Sequence, residues 1–109
     1  PMASSPAFVQ YVCEQLAQAG TVVCRPMFGE YGLWCAGKLF ATIEEDMLCL
    51  KITPVGRALL PAAEIVMPHE GARFLYVEDL EDRVFLAELV RQTCAALPAP
   101  RPRRKKGSD

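Results

Sequence analysis

Five cysteines, one histidine and a run of carboxylates are the side chains from which this 109-residue chain could assemble a reaction centre. Cys13, Cys24, Cys35, Cys49 and Cys94 stand ten or more residues apart, and no C-x-x-C pair occurs. Structural zinc and dithiol chemistry both favour such pairs, so no metal and no cofactor is expected. The thiols read instead as small buried hydrophobes of a reducing compartment. Cys24 alone adjoins a cation, Arg25, whose charge would favour a thiolate, which makes it the candidate redox residue. His69, next to Glu70 in a turn flanked by Pro68 and Gly71, is of the type that titrates near neutrality. With no G-x-S-x-G or similar nucleophile setting, it completes no triad. Glu44, Glu45 and Asp46 lack a histidine or second acidic cluster at ligand spacing and read as a solvated turn. Gly29 and Gly32 match neither phosphate-loop spacing, and a strand follows them where a phosphate loop needs a helix. No catalytic residue is therefore expected.

The charge is divided along the chain. Residues 1–100 carry seven Lys or Arg against twelve Asp or Glu, a net −5, whereas residues 101–109 carry five basic groups against Asp109, a net +4. An acidic body disfavours a phosphate-binding surface. The candidate nucleic-acid contacts are therefore Arg101, Arg103, Arg104, Lys105 and Lys106. If all five met phosphates, the salt slope would be about −4.5, in the range of non-specific attachment. The segment 98–109 has too little apolar surface to offset the entropy of ordering and is expected to be a disordered basic tail. No apolar run approaches the ~20 residues of a membrane span, and the start lacks a secretory pattern, so a cytoplasmic protein without membrane association is expected. Pro1 ahead of Met2 reads as a remnant preceding the natural start.

Ser5-Pro6 predicts a helix start, with Phe8, Val9, Val12, Cys13, Leu16 and Ala17 at helical spacing and Gly20 at its end. Thr21–Cys24 suits a short strand, and Pro26 marks an edge or a bend. Strands over 31–36 and 39–44 flank a hairpin at Gly37-Lys38; Leu39, Ala41 and Ile43 share one face, and Phe40, Thr42 and Glu44 the other. Another strand spans 47–52 after a Glu45-Asp46 turn. Thr53-Pro54 starts a short helix, strands follow over 64–67 and 74–77, and a helix begins near Asp79 and stops at Pro98. Short connections favour an antiparallel sheet backed by helices, an α+β domain over residues 2–97.

The start MASSPAFVQYVCEQL and the run RPMFGEYGLWCAGKLFATIEEDMLCLKI resemble the N-terminal domain of the TfoX (Sxy) competence-regulator family. Arg25, Met27, Phe28, Gly29, Tyr31 and Gly32 match its Arg-x-Met-Phe-Gly-x-Tyr-Gly signature; Gly37, Phe40, Leu50 and Lys51 match the hairpin and strand that follow. The resemblance implies a stand-alone two-layer α/β domain of order α-β-β-β-α-β-β-α, and a non-enzymatic interaction or regulatory role with a protein partner. Pro26 stands where members often carry Arg, and Glu30 where they carry Gly, which weakens a nucleic-acid role for that loop. Among the aromatics, Phe28 is expected in the core; Tyr31 and Trp34 are the candidate interface, Trp34 above all because it alternates away from Leu33 and Cys35. The alternative function is a small-ligand or thiol-redox-responsive module using Cys24 and the cleft between sheet and helices.

Overall fold

The computed structural model describes residues 3–100. Its elements run α1 (Pro6–Gln15), a 3₁₀ turn (Ala17–Ala19), β1 (Val22–Met27), β2 (Glu30–Cys35), β3 (Lys38–Glu44), β4 (Met47–Lys51), α2 (Pro54–Leu59), β5 (Ile65–Val66), β6 (Phe74–Val77) and α3 (Arg83–Ala96). The fold is the expected α+β arrangement. The short strand expected over 21–24 continues through Pro26 to Met27, which is tolerated because β1 lies at the edge of the sheet. Six strands pair antiparallel in the order β1-β2-β3-β4-β6-β5.

All three helices begin on side-chain caps. Ser5 Oγ accepts from Phe8 N at 3.1 Å, Thr53 Oγ1 from Gly56 N at 3.0 Å and Asp82 Oδ1 from Phe85 N at 3.0 Å. Each hydroxyl or carboxylate satisfies an amide that has no partner within its helix. Asp79, the expected start of α3, instead accepts from Glu81 N in the preceding turn. Lys38 Nζ donates to Cys94 O at 2.8 Å and Leu97 O at 3.0 Å, placing an ammonium on the negative end of α3.

Cross-strand partners share a face, so the register shows what each side presents. Leu33, Ala41, Ile43, Leu48, Leu50, Leu75 and Val77 lie on one side with Val12 and Leu16 of α1 and Leu86, Leu89 and Val90 of α3 in a single core. Between Leu33 and Trp34 the register of β2 against β3 shifts, from Leu33↔Ala41 to Trp34↔Leu39, leaving Phe40 as a bulged residue. Simple alternation is therefore corrected here: Phe40 enters the core, and Leu39 joins Trp34 and Thr42 on the opposite face.

Tight turns link the first four strands. Phe28-Gly29 (φ 50° and 83°), Ala36-Gly37 (53° and 75°) and Glu45-Asp46 (53° and 57°) each place two residues at positive φ, the signature of type I′ hairpins. The second turn falls one residue before the expected Gly37-Lys38. In the third, two non-glycine residues adopt a conformation that costs about 1–2 kcal/mol each. Neighbours hold it in place: Glu30 accepts from Glu45 N at 2.8 Å and Ser4 N at 2.9 Å, Ser4 Oγ accepts from Asp46 N at 2.9 Å, and Asp46 accepts from Ser5 N at 2.8 Å. Removing the brace with Glu30→Ala is expected to lower unfolding stability by about 2 kcal/mol, whereas Glu45→Gly, which relieves the backbone, raises it by about 1 kcal/mol. Urea denaturation of the two variants checks the opposite signs.

Candidate functional site

The signature Arg-x-Met-Phe-Gly-x-Tyr-Gly maps onto one hairpin. Arg25 and Met27 alternate onto the face of β1 away from the helices, Phe28 and Gly29 form the turn, Tyr31 packs toward the core, and Gly32 returns to the open face. Phe28 is corrected outright: at 99 % exposure it stands at the hairpin tip, because a residue at the left-handed corner of a two-residue turn projects beyond both strands. Gly32 has a packing reason as well as a turn nearby. A Cβ there would lie 2.7 Å from Trp34 Cη2 and 3.1 Å from Leu39 Cδ1, so the indole lies across the glycine. Tyr31 and Trp34 thus occupy opposite faces, and of the two only Trp34 belongs to the open one.

Sequence reasoning missed the cavity on that face. It measures about 680 Å³ and is walled by Met27, Leu39, Pro68 and Phe74, between the β1–β2 hairpin and the turn joining β5 to β6. Glu44, read as a solvated turn residue, is a buried member of this wall, its side chain 12 % accessible. Its Oε2 accepts from Thr42 Oγ1 at 2.9 Å, and its Oε1 lies 3.1 Å from Nδ1 of His69, a side chain that is 61 % accessible. The link spans 25 residues, and no local spacing announces it. Lys51 lines the same cavity. Among the described residues, no three His, Cys, Asp or Glu side chains stand together as a metal would require.

Cys49 pairs with Thr42 and so lies buried on this same face beside Glu44, whereas the other four thiols lie toward the helices. Cys24 lies on the helix side of β1 against Cys13 of α1, while Arg25 alternates to the opposite face. The thiolate-favouring effect expected of Arg25 is corrected, since burial, reinforced by Cys13, pushes the Cys24 thiol up to about 11. Burial likewise raises Cys49 to about 12, with the Glu44 charge adding to it, and Cys94 to about 12, with Cys35 adding. All five cysteines are free. The five basic residues Arg101, Arg103, Arg104, Lys105 and Lys106 lie outside the described residues, as does the rest of the tail beyond Pro100. No helix among the described residues is long and apolar enough to cross a membrane.

An antiparallel sheet with its helices on one side and an open cavity on the other defines a small α+β domain whose free surface is a sheet face and a hairpin tip. The TfoX N-terminal domain family matches residues 14–97, and the chain belongs to that family. It is 35 % identical over 107 residues to a protein of Spirochaeta aurantia described as an "Uncharacterized 12.7 kDa protein in trpE 5'region", covering 96 % of this chain and 93 % of that one. No solved structure matches it. Family membership accords with a regulatory or interaction domain in general.

Two measurements follow from this geometry. Gly32→Ala is expected to displace the indole of Trp34, the single tryptophan, toward water. Its emission shifts to the red with a stability loss of about 1 kcal/mol; unchanged emission would mean the ring does not rest on Gly32. Raised thiol values favour the protonated form in the folded chain, so their stabilising effect is complete below the free-thiol value and fades as the pH climbs through about 11. Alkylation of Cys24 followed by mass spectrometry should accordingly show a midpoint near pH 11, against about 8.5 for a free thiol.

Proposed function

We propose that this chain is a non-enzymatic interaction domain that docks to a protein partner through the β1–β2 hairpin and the adjoining open sheet face, in the manner of a cytoplasmic TfoX-type regulator of competence and transcription. The observation that carries this reading is Phe28. A two-residue turn of this type is best served by Asn-Gly, so nothing in the fold calls for an aromatic ring there. Yet the ring is almost wholly exposed, on a left-handed backbone that disfavours it. An exposed aromatic on a strained turn fits a binding anchor, since such residues supply much of the energy of an interface. Met27 adjoins it, and Trp34 lies further along the same open face, over Gly32. The basic residues 101–106 add a sequence-independent attraction to nucleic acid, on a body too acidic to provide one.

A small-ligand module is the second reading, and the cavity favours it. The cavity lies on the sheet face opposite Cys24, however, so the ligand and thiol halves of that alternative separate.

Phe28→Asn separates docking from folding, because it supplies the turn's preferred residue while deleting the ring. The variant is expected to match or exceed the parent in thermal stability and to lose, by tenfold or more, the partner that the parent retains from cytosolic extract. An unchanged partner set in Phe28→Asn and in Trp34→Ala would contradict the reading. Deleting residues 98–109 should leave the protein partner in place and take the salt slope of DNA binding from about −4.5 toward zero.

A further inference from the structure

The cavity under the β1–β2 hairpin holds a buried carboxylate whose ion-pair partner lies on the exposed rim. Its apolar walls and volume of about 680 Å³ are those of a small-molecule site, typically ~300–1,000 Å³. Glu44 brings a carboxylate into this wall, fixed from one side by Thr42 Oγ1 and backed by the braced Glu45-Asp46 turn. A carboxylate removed from water is costly unless a cation meets it. The only ion-pair partner of Glu44 among the described residues is His69, exposed on the outer rim and charged only when protonated. Glu30, a second carboxylate on the wall, has both oxygens engaged by backbone amides. Lys51 marks the other end: Glu44 pairs with Met47, and Lys51 lies four residues further along β4, about 13 Å at the rise of a strand. Glu45 adds a third carboxylate to the rim, so the wall counts three acidic groups against Lys51 and His69.

We propose that this cavity binds a small organic monocation, a primary ammonium or guanidinium on an aromatic or branched aliphatic stem, with Glu44 as its counter-ion. The stem lies against Met27, Leu39 and Phe74, and the head displaces His69 from Oε1. Anions are refused by the carboxylates. Polyamines are disfavoured because their second charge would approach Lys51. This assignment goes beyond the docking reading and does not depend on it, since it concerns the isolated chain.

Calorimetric and NMR titration of the full chain with phenethylamine, 2-phenylethanol, phenylacetate and spermidine tests it at constant pH and salt. Phenethylamine is expected to bind at least about tenfold more tightly than the neutral alcohol, with phenylacetate and spermidine weaker still, and to shift the methyls of Met27 and Leu39. Glu44→Gln should remove the preference for the amine, while His69→Ala, on the exposed rim, should bind it at least as well as the parent. Equal binding of amine and alcohol by the parent would overturn the proposal whether or not the Glu44 variant folds. So would a tenfold loss in His69→Ala, which would make the imidazole the ligand group, or shifts confined to residues under the helices.

Discussion

Left-handed backbone at three successive two-residue turns is the constraint from which the rest of this molecule follows. Phe28-Gly29, Ala36-Gly37 and Glu45-Asp46 leave no room for a crossover, so β1 to β4 must lie side by side in chain order. The helices that cover them come from outside this meander, α1 before it and α2 and α3 after it. All pack on the face that carries Leu33, Ile43, Leu48 and Leu50. The opposite face is left to its own side chains. The tightness of the turns therefore decides not only strand order but which surface the domain offers.

That surface is unusual in what it buries. Trp34 folds onto Gly32, Leu39 is turned outward by the bulge at Phe40, and Glu44 is screened by Thr42 and His69. A bare sheet face usually alternates toward solvated polar groups, whereas this one gathers apolar side chains around a desolvated carboxylate. The two hairpins at its rim differ in role. Glu45-Asp46 is held by side chains from β2 and the N-terminal segment, while Phe28-Gly29 projects its ring freely. Strain that is braced in one turn is exposed in the other, and only the exposed one is free to meet a partner.

What the sequence made legible was whatever is encoded locally. Ser5-Pro6 and Thr53-Pro54 mark their helices because a cap and a preset φ act within four residues. The strands and the α+β class follow from alternation and short links. The failures share a cause. A bulge is a property of two strands together, so the alternation of β3 alone put Leu39 and Phe40 on the wrong faces. Phe28 looked like core because its type is apolar, although its place in the turn overrides its type. The cavity depends on Glu44 meeting His69 across the sheet, and Cys24 depends on Cys13 from α1; neither pairing has a local signature. The Arg25 to Gly32 signature, by contrast, is local in sequence and falls on a single hairpin.

The most direct measurement of this two-sided architecture is the relaxation of assigned methyl groups by a soluble paramagnetic probe. Strong relaxation at Met27 and Leu39 beside weak relaxation at Leu33, Ile43 and Leu48 is the expected result, since only the former pair lies on the face without helices. Equal protection of Leu39 and Ile43 would contradict it, because both faces of the sheet would then be covered.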